Sequence, residues 1–333
     1  MKKISIPILV ALLAGWCYAT DTIFFGPRNL RVSEEGEFSW VDMTPEPQEF
    51  DTQWAYRLYP DDKKLTGRGV TVAVADSGIS SHVEFNGKHI QGQDFTLSPS
   101  IADLKNHGTG VAGIIGARGV RFTGLAPEAS LIVYKIDDGS RMIAPQAITT
   151  AVNTLVQYNE QNPQKRVSVL NLSYGVLPGG SAQLTAALER AYEAGIVIVC
   201  PAGNVGYPGV HYPASLGFTI AVGALSSDLT SAYANSSYGP QIDFIAPGDR
   251  VYTTDSDGEY TLMSGTSAAA GFVSAMAALA VEGLKNKLGR YPTPEEVKNA
   301  LKAAAYRVEG IDLQRQGNGF IDVKKLEQQL GAR

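Results

Sequence analysis

The sequence predicts an α/β fold, a doubly wound and mostly parallel sheet with helices on both faces. Three observations predict it. Short runs rich in β-branched residues recur from Gly69 onward, at 70–75, 131–136, 167–172, 196–200 and 218–222. They are nearly continuous apolar stretches, as strands covered on both faces must be. Between them apolar residues fall at helical spacing, and strand alternating with helix builds a parallel sheet through right-handed crossovers.

At the start of the chain, Lys2 and Lys3 precede an apolar run of about 12 residues over 4–15, followed by Trp16, Cys17, Tyr18 and Ala19 and then the polar Thr20 and Asp21. That run is well short of the roughly 20 residues a bilayer takes. Residues 1–19 are therefore expected to be a signal peptide cleaved after the small Ala19. A lipoprotein site at Cys17 fits less well, because bulky Trp16 precedes it. No later segment is expected to be long and apolar enough to cross a membrane, so the mature chain should be soluble and secreted or periplasmic. Residues 20–66 carry Pro27, Pro45, Pro47 and Pro60 without a sustained period. Of these, 20–53 reads as an extended lead-in, and 54–333 as one large domain, since open α/β sheets outgrow the usual domain size as single units.

Helices are predicted where Ile148, Val152, Leu155 and Val156 share a face, and where Leu184, Ala187, Leu188 and Ala191 do so before Gly195 ends the pattern. An Ala-rich helix follows Ser264 and runs to about Leu288. Near the end, Thr293-Pro294-Glu295-Glu296 is a capping box with proline at the first helical position, opening a helix that turns Val297, Ala300, Leu301 and Ala304 inward.

The chain has 28 Lys+Arg against 33 Asp+Glu, a net charge of −5. It offers no basic field for nucleic acid and no polybasic membrane patch. Its two cysteines, Cys17 and Cys200, are too few for a disulfide framework. If Cys17 leaves with the signal peptide, Cys200 remains alone as a small core residue.

In a parallel sheet, ligands bind at the carboxyl ends of the strands. Asp76 ends an apolar strand, and Asp-Ser-Gly by itself is also ordinary turn chemistry. His107 heads a segment with glycines at 110, 113 and 116, whose small residues imply close packing of a helix. Ser267 opens the Ala-rich helix after a glycine turn, with Thr266 available as its cap. Asn204 puts an amide at the mouth of the strand ending at Cys200. Each could be structural alone. Together they supply an acid, a base, a hydroxyl nucleophile and an amide donor at one edge.

These residues lie in motifs that resemble those of the subtilisin-like serine proteases, the subtilases. The resemblance runs from about Trp54 to Leu326. It rests on residues 72–78 around Asp76, 107–113 around His107 and 264–269 around Ser267, with further matches at 124–127, 172–175, 202–204, 246–248 and 317–322. It implies a three-layer subtilisin-like fold and a serine endopeptidase, with 54–333 as the peptidase domain. In that reading Ser267 is the nucleophile, His107 its base and Asp76 the partner of the imidazole. Asn204 and the Ser267 backbone N–H would hold the oxyanion. Ser173, Tyr174 and Gly175 would pair with a substrate strand, and Tyr174, Ala202, Gly203 and Gly206 would border the main side-chain pocket. With no carboxylate among them, an apolar or aromatic preference is expected. The implied partner is a peptide or protein, the chain is expected to be a monomer, and no cofactor is required for catalysis.

Four departures from the family pattern stand out. Gly271 replaces a proline, which raises a transpeptidase or cyclase as an alternative use of the same acyl-enzyme. A peptide-binding homologue without activity is another. Gly110 replaces a second histidine outside the triad. The Asn-rich loop that supplies calcium ligands is missing between His107 and Gly124, and although Glu84 could supply another ligand, a strong calcium site is not expected there. The 20–53 segment is too short for the family's usual propeptide domain.

Overall fold

The computed structural model describes residues 28–32, 38–42, 64–96, 98, 100–139, 145–176, 179–228 and 230–332. The expected signal peptide, with Cys17 and Ala19, lies outside the described residues. The chain divides into two units, residues 1–45 and 46–333. In the first, β1 (Arg28–Val32) pairs antiparallel with β2 (Phe38–Asp42). The lead-in thus contains a hairpin that its proline-punctuated sequence did not signal.

The second unit is built on seven strands: β3 (Thr71–Asp76), β4 (Ile90–Asp94), β5 (Ser130–Lys135), β6 (Val167–Leu172), β7 (Val197–Pro201), β8 (Ile220–Leu225) and β9 (Phe244–Pro247). They form one sheet in the order β4-β5-β3-β6-β7-β8-β9, and every neighbouring pair is parallel. Alternate residues feed two separate cores. Val72 and Val74 join one, and Ala73 and Ala75 the other; Val197 and Val199 face the first, and Ile198 and Cys200 the second. This is the doubly wound α/β fold.

One face carries α1 (Gly108–Gly116), α4 (Thr266–Leu288) and α5 (Pro294–Ala304); the other carries α2 (Pro145–Gln161) and α3 (Ala182–Glu193). The capping box of α5 is formed on both sides, Thr293 accepting from the Glu296 N–H and Glu296 from the Thr293 N–H. A hairpin of β10 (Val251–Thr254) and β11 (Tyr260–Met263) leads into α4. Contrary to the expectation for segments after the leader, α4 is long and apolar enough to cross a bilayer by length and composition. Its most apolar stretch is 94% buried within the protein, however, so it is apolar all round because it runs through the core.

Candidate active site

The strand end and the histidine meet first. Asp76, the last residue of β3, is buried, and its Oδ1 lies 2.7 Å from His107 Nδ1 while accepting the Ser77 N–H at 2.6 Å. His107 is the N-cap of α1. The helix can start this close because its first residue is Gly108: a Cβ there would stand 2.3 Å from the Gly78 carbonyl oxygen and 3.1 Å from Asp76 Cβ. Burial works against the charge of Asp76, but His107, the Ser77 N–H and the Ser173 hydroxyl together hold its carboxyl below the ordinary range. Burial likewise opposes the charge of His107, and the Asp76 carboxylate, with a smaller contribution from Asp103, overcomes it and raises the imidazole above its usual value.

Asp103 was not singled out from the sequence, yet it ties this corner together. It is buried, and its Oδ1 accepts the Ser77 hydroxyl at 2.8 Å and the Lys105 N–H at 2.9 Å. Its Oδ2 accepts both the N–H and the hydroxyl of Thr109 at 2.8 Å. Ser77 Oγ in turn accepts the Gly108 N–H at 2.9 Å. One carboxylate thus braces the end of β3 and the first turn of α1. The available signal was an aspartate just ahead of a helix, the ordinary look of a cap.

The second helix start is built around Asn204. Gly265 is the N-cap of α4 at φ 129°, a conformation that favours glycine, and it has no side chain to cap with. The cap is therefore not Thr266, as the sequence suggested. Asn204 Oδ1 accepts the Thr266 N–H at 2.8 Å and the Thr266 hydroxyl at 2.9 Å. With its oxygen engaged, the exposed Asn204 amide has a set orientation, and Nδ2 is the atom left to donate outward. Ser267 follows in the first turn of α4, where backbone N–H groups have no intrahelical acceptor.

The two helices pack against each other. A Cβ at Gly271 would lie 3.4 Å from Ile114 and 3.5 Å from Val111, so the contact falls one turn inside each helix from Ser267 and His107. Both helices begin at the carboxyl edge of the sheet. Asp76 and His107 are directly paired, whereas among the described residues no hydrogen bond joins Ser267 to His107. Such contacts commonly tighten only around substrate.

The expected substrate-binding residues fall in two segments, one after β6 and one after β7. Ser173 continues from β6, its N–H donating to Ala75 and its hydroxyl accepting from Asn171 Nδ2 at 2.7 Å; Asn171 Oδ1 accepts the Ser274 hydroxyl of α4. Tyr174 is buried and Gly175 follows it. Ala202 and Gly203 follow β7 in the other segment. The Gly206 N–H donates to the Asn235 carbonyl.

Glu84 does not fit a calcium ligand. Its buried carboxylate accepts the N–H groups of Gly119, Val120, Arg121 and Phe122 and the Tyr260 hydroxyl, so its oxygens are already satisfied by donors. Among the described residues no group of three His, Cys, Asp or Glu side chains could hold a metal. Burial pushes the Cys200 thiol up, and it is a free core residue.

The sequence profile of the Subtilase family matches residues 67–319. The chain belongs to the subtilase family. This subtilase is 35% identical over 272 residues to Subtilisin DY of Bacillus licheniformis, an alignment covering 79% of this chain and 92% of that one. Among solved structures, it resembles a mutant of the protease domain of PatA with a TM-score of 0.70 at 26% identity, covering 81% of this chain and 98% of that one. It also resembles the prenylagaramide maturation protease PagA, with a TM-score of 0.66 at 28% identity, covering 79% and 93%. Family membership makes it a serine-type peptidase.

Proposed function

We propose that this subtilase is an exported serine endopeptidase acting through Ser267, His107 and Asp76, with residues 1–19 as its signal peptide. The observation that carries this reading is the 2.7 Å pair of Asp76 and His107 at the head of one helix, packed beside the helix whose first turn carries Ser267. His107 Nε2 takes the Ser267 hydroxyl proton as Oγ bonds to the substrate carbonyl carbon. Asp76 holds the Nδ1 proton toward itself and stabilises the imidazolium. The carbonyl electrons move to oxygen, where the Asn204 amide and the Ser267 N–H donate to it. When the tetrahedral intermediate collapses, the C–N bond breaks and the imidazolium proton passes to the amine. Water then hydrolyses the acyl-enzyme with His107 again as base. No step uses a metal.

An amine could resolve the same acyl-enzyme, and the replacement of the family proline by Gly271 favours keeping that reading as the alternative. One experiment separates the outcomes: the purified protein and its Ser267→Ala variant are treated with a fluorophosphonate probe and with casein. Labelling and cleavage by the parent alone support the endopeptidase. No labelling of the parent would sink both enzyme readings, and labelling with joined rather than cleaved peptides would favour the amine route.

A further inference from the structure

The two segments, taken as walls of the proposed substrate site, share a floor that the sequence did not reveal. Segment 211–212 is hydrogen-bonded to both. The His211 N–H donates to the Ala202 carbonyl at 2.9 Å, while Tyr212 and Val176 exchange N–H to carbonyl bonds at 2.9 and 3.0 Å. The His211 side chain stands in the gap. A Cβ at Gly175 would meet His211 Cβ at 3.3 Å and Nδ1 at 3.4 Å, and a Cβ at Gly203 would meet ring atoms Cδ2, Cγ and Nε2 at 2.5 to 2.7 Å. The imidazole therefore touches the backbone of both walls at the two glycines. It is only 8% exposed, and Nε2 is buried without a hydrogen-bond partner. Packing against the two glycines, rather than a hydrogen bond to another protein group, holds the ring in the gap. Burial also holds its pKa below that of an ordinary histidine, which favours the uncharged ring.

We propose that His211 is the specificity-determining residue of this subtilase, closing the slot between Gly175 and Gly203 so that the residue before the scissile bond must be small: glycine, alanine or serine. The inference rests on the proposed peptidase activity and replaces the apolar or aromatic preference expected from the wall residues alone. A large side chain entering between the walls would meet the imidazole edge before it was buried. A small one stops above the ring and loses nothing.

The test uses peptides that differ only at that residue, comparing kcat/KM for alanine and serine with that for leucine and phenylalanine, in the parent and in His211→Gly and His211→Ala. The parent is expected to favour the small residues at least tenfold, and both variants to raise the large-to-small ratio at least tenfold, since one missing group in a pocket is worth about 10- to 200-fold. A parent that favours phenylalanine or leucine overturns the inference without any variant. So does an unchanged ratio in a variant that still reacts with the fluorophosphonate. If the parent itself does not label, the peptidase reading fails and takes this inference with it, so the two failures are told apart.

Discussion

Two glycines in the packed helices should respond in opposite directions to the same substitution. At Gly271 in α4, a new Cβ would lie 3.4 to 3.5 Å from Ile114 and Val111, ordinary van der Waals contact. Gly271→Ala therefore adds a buried methyl without a clash and removes the backbone-entropy cost of a helical glycine. The gain is about 1 kcal/mol, or roughly 2–4 °C in Tm for a domain of this size. At Gly113 in α1, a Cβ would stand 2.3 Å from Thr254 Oγ1 and 2.6 Å from Thr253 Oγ1. Neither hydroxyl is free to give way: Thr253 Oγ1 donates to the Gly110 carbonyl at 2.6 Å and Thr254 Oγ1 to the Thr109 carbonyl at 2.7 Å. Overpacking costs about 1–3 kcal/mol, and disturbing each of those bonds about 1 kcal/mol more. After the propensity gain, Gly113→Ala should destabilise by about 2–4 kcal/mol. Both are measured by thermal and denaturant unfolding in a Ser267→Ala background, so that self-cleavage does not interfere. If both raise Tm, or both lower it, the packing argument for the two helices is wrong.

Three further outcomes are expected. Asp103→Asn puts an NH2 group against two donors and should lower stability by about 2 kcal/mol. It also removes a negative charge that helps raise the His107 pKa, and because the base must be neutral to act, the acid limb of kcat/KM should move to lower pH; an unmoved limb contradicts the electrostatic role. Asn204→Ala should lower kcat by about 10²- to 10³-fold with little change in KM, together with about 1 kcal/mol of stability for the lost cap on Thr266, and a change confined to KM would count against its placement in the oxyanion hole. Glu84→Ala leaves four loop N–H groups and the Tyr260 hydroxyl without their acceptor and should lower Tm by several degrees, whereas a chelator should leave the parent's Tm unchanged; a chelator-sensitive parent would refute the view that a carboxylate holds this loop.

The strands legible in the sequence are those buried on both faces, because a run of β-branched residues needs no partner to be seen. β4 was missed because it is an edge strand, Ile-Gln-Gly-Gln-Asp, largely open to solvent. β9, Phe-Ile-Ala-Pro, is short and ends in proline, which belongs at an edge. The candidate site was legible to the same degree. Asp76 and Asn204 announced themselves by following apolar strands, and His107 and Ser267 by their glycine-flanked helix starts. Asp103 looked like a cap, and His211 sat in a glycine- and proline-rich loop with no period to give it away.

Composition, alternation of strand and helix, and the motifs around Asp76, His107 and Ser267 determined the fold class and the family without any coordinates. Those signals are local, set by backbone geometry over a few residues. Only the tertiary structure decided which polar groups meet. Glu84 finds Tyr260 across 176 residues of chain, Asn204 reaches Thr266 across 62, and His211 fills a gap between segments that follow two different strands. Such meetings depend on the order of strands in the sheet and on how closely helices approach one another. Neither quantity is written in the spacing of residues along the chain.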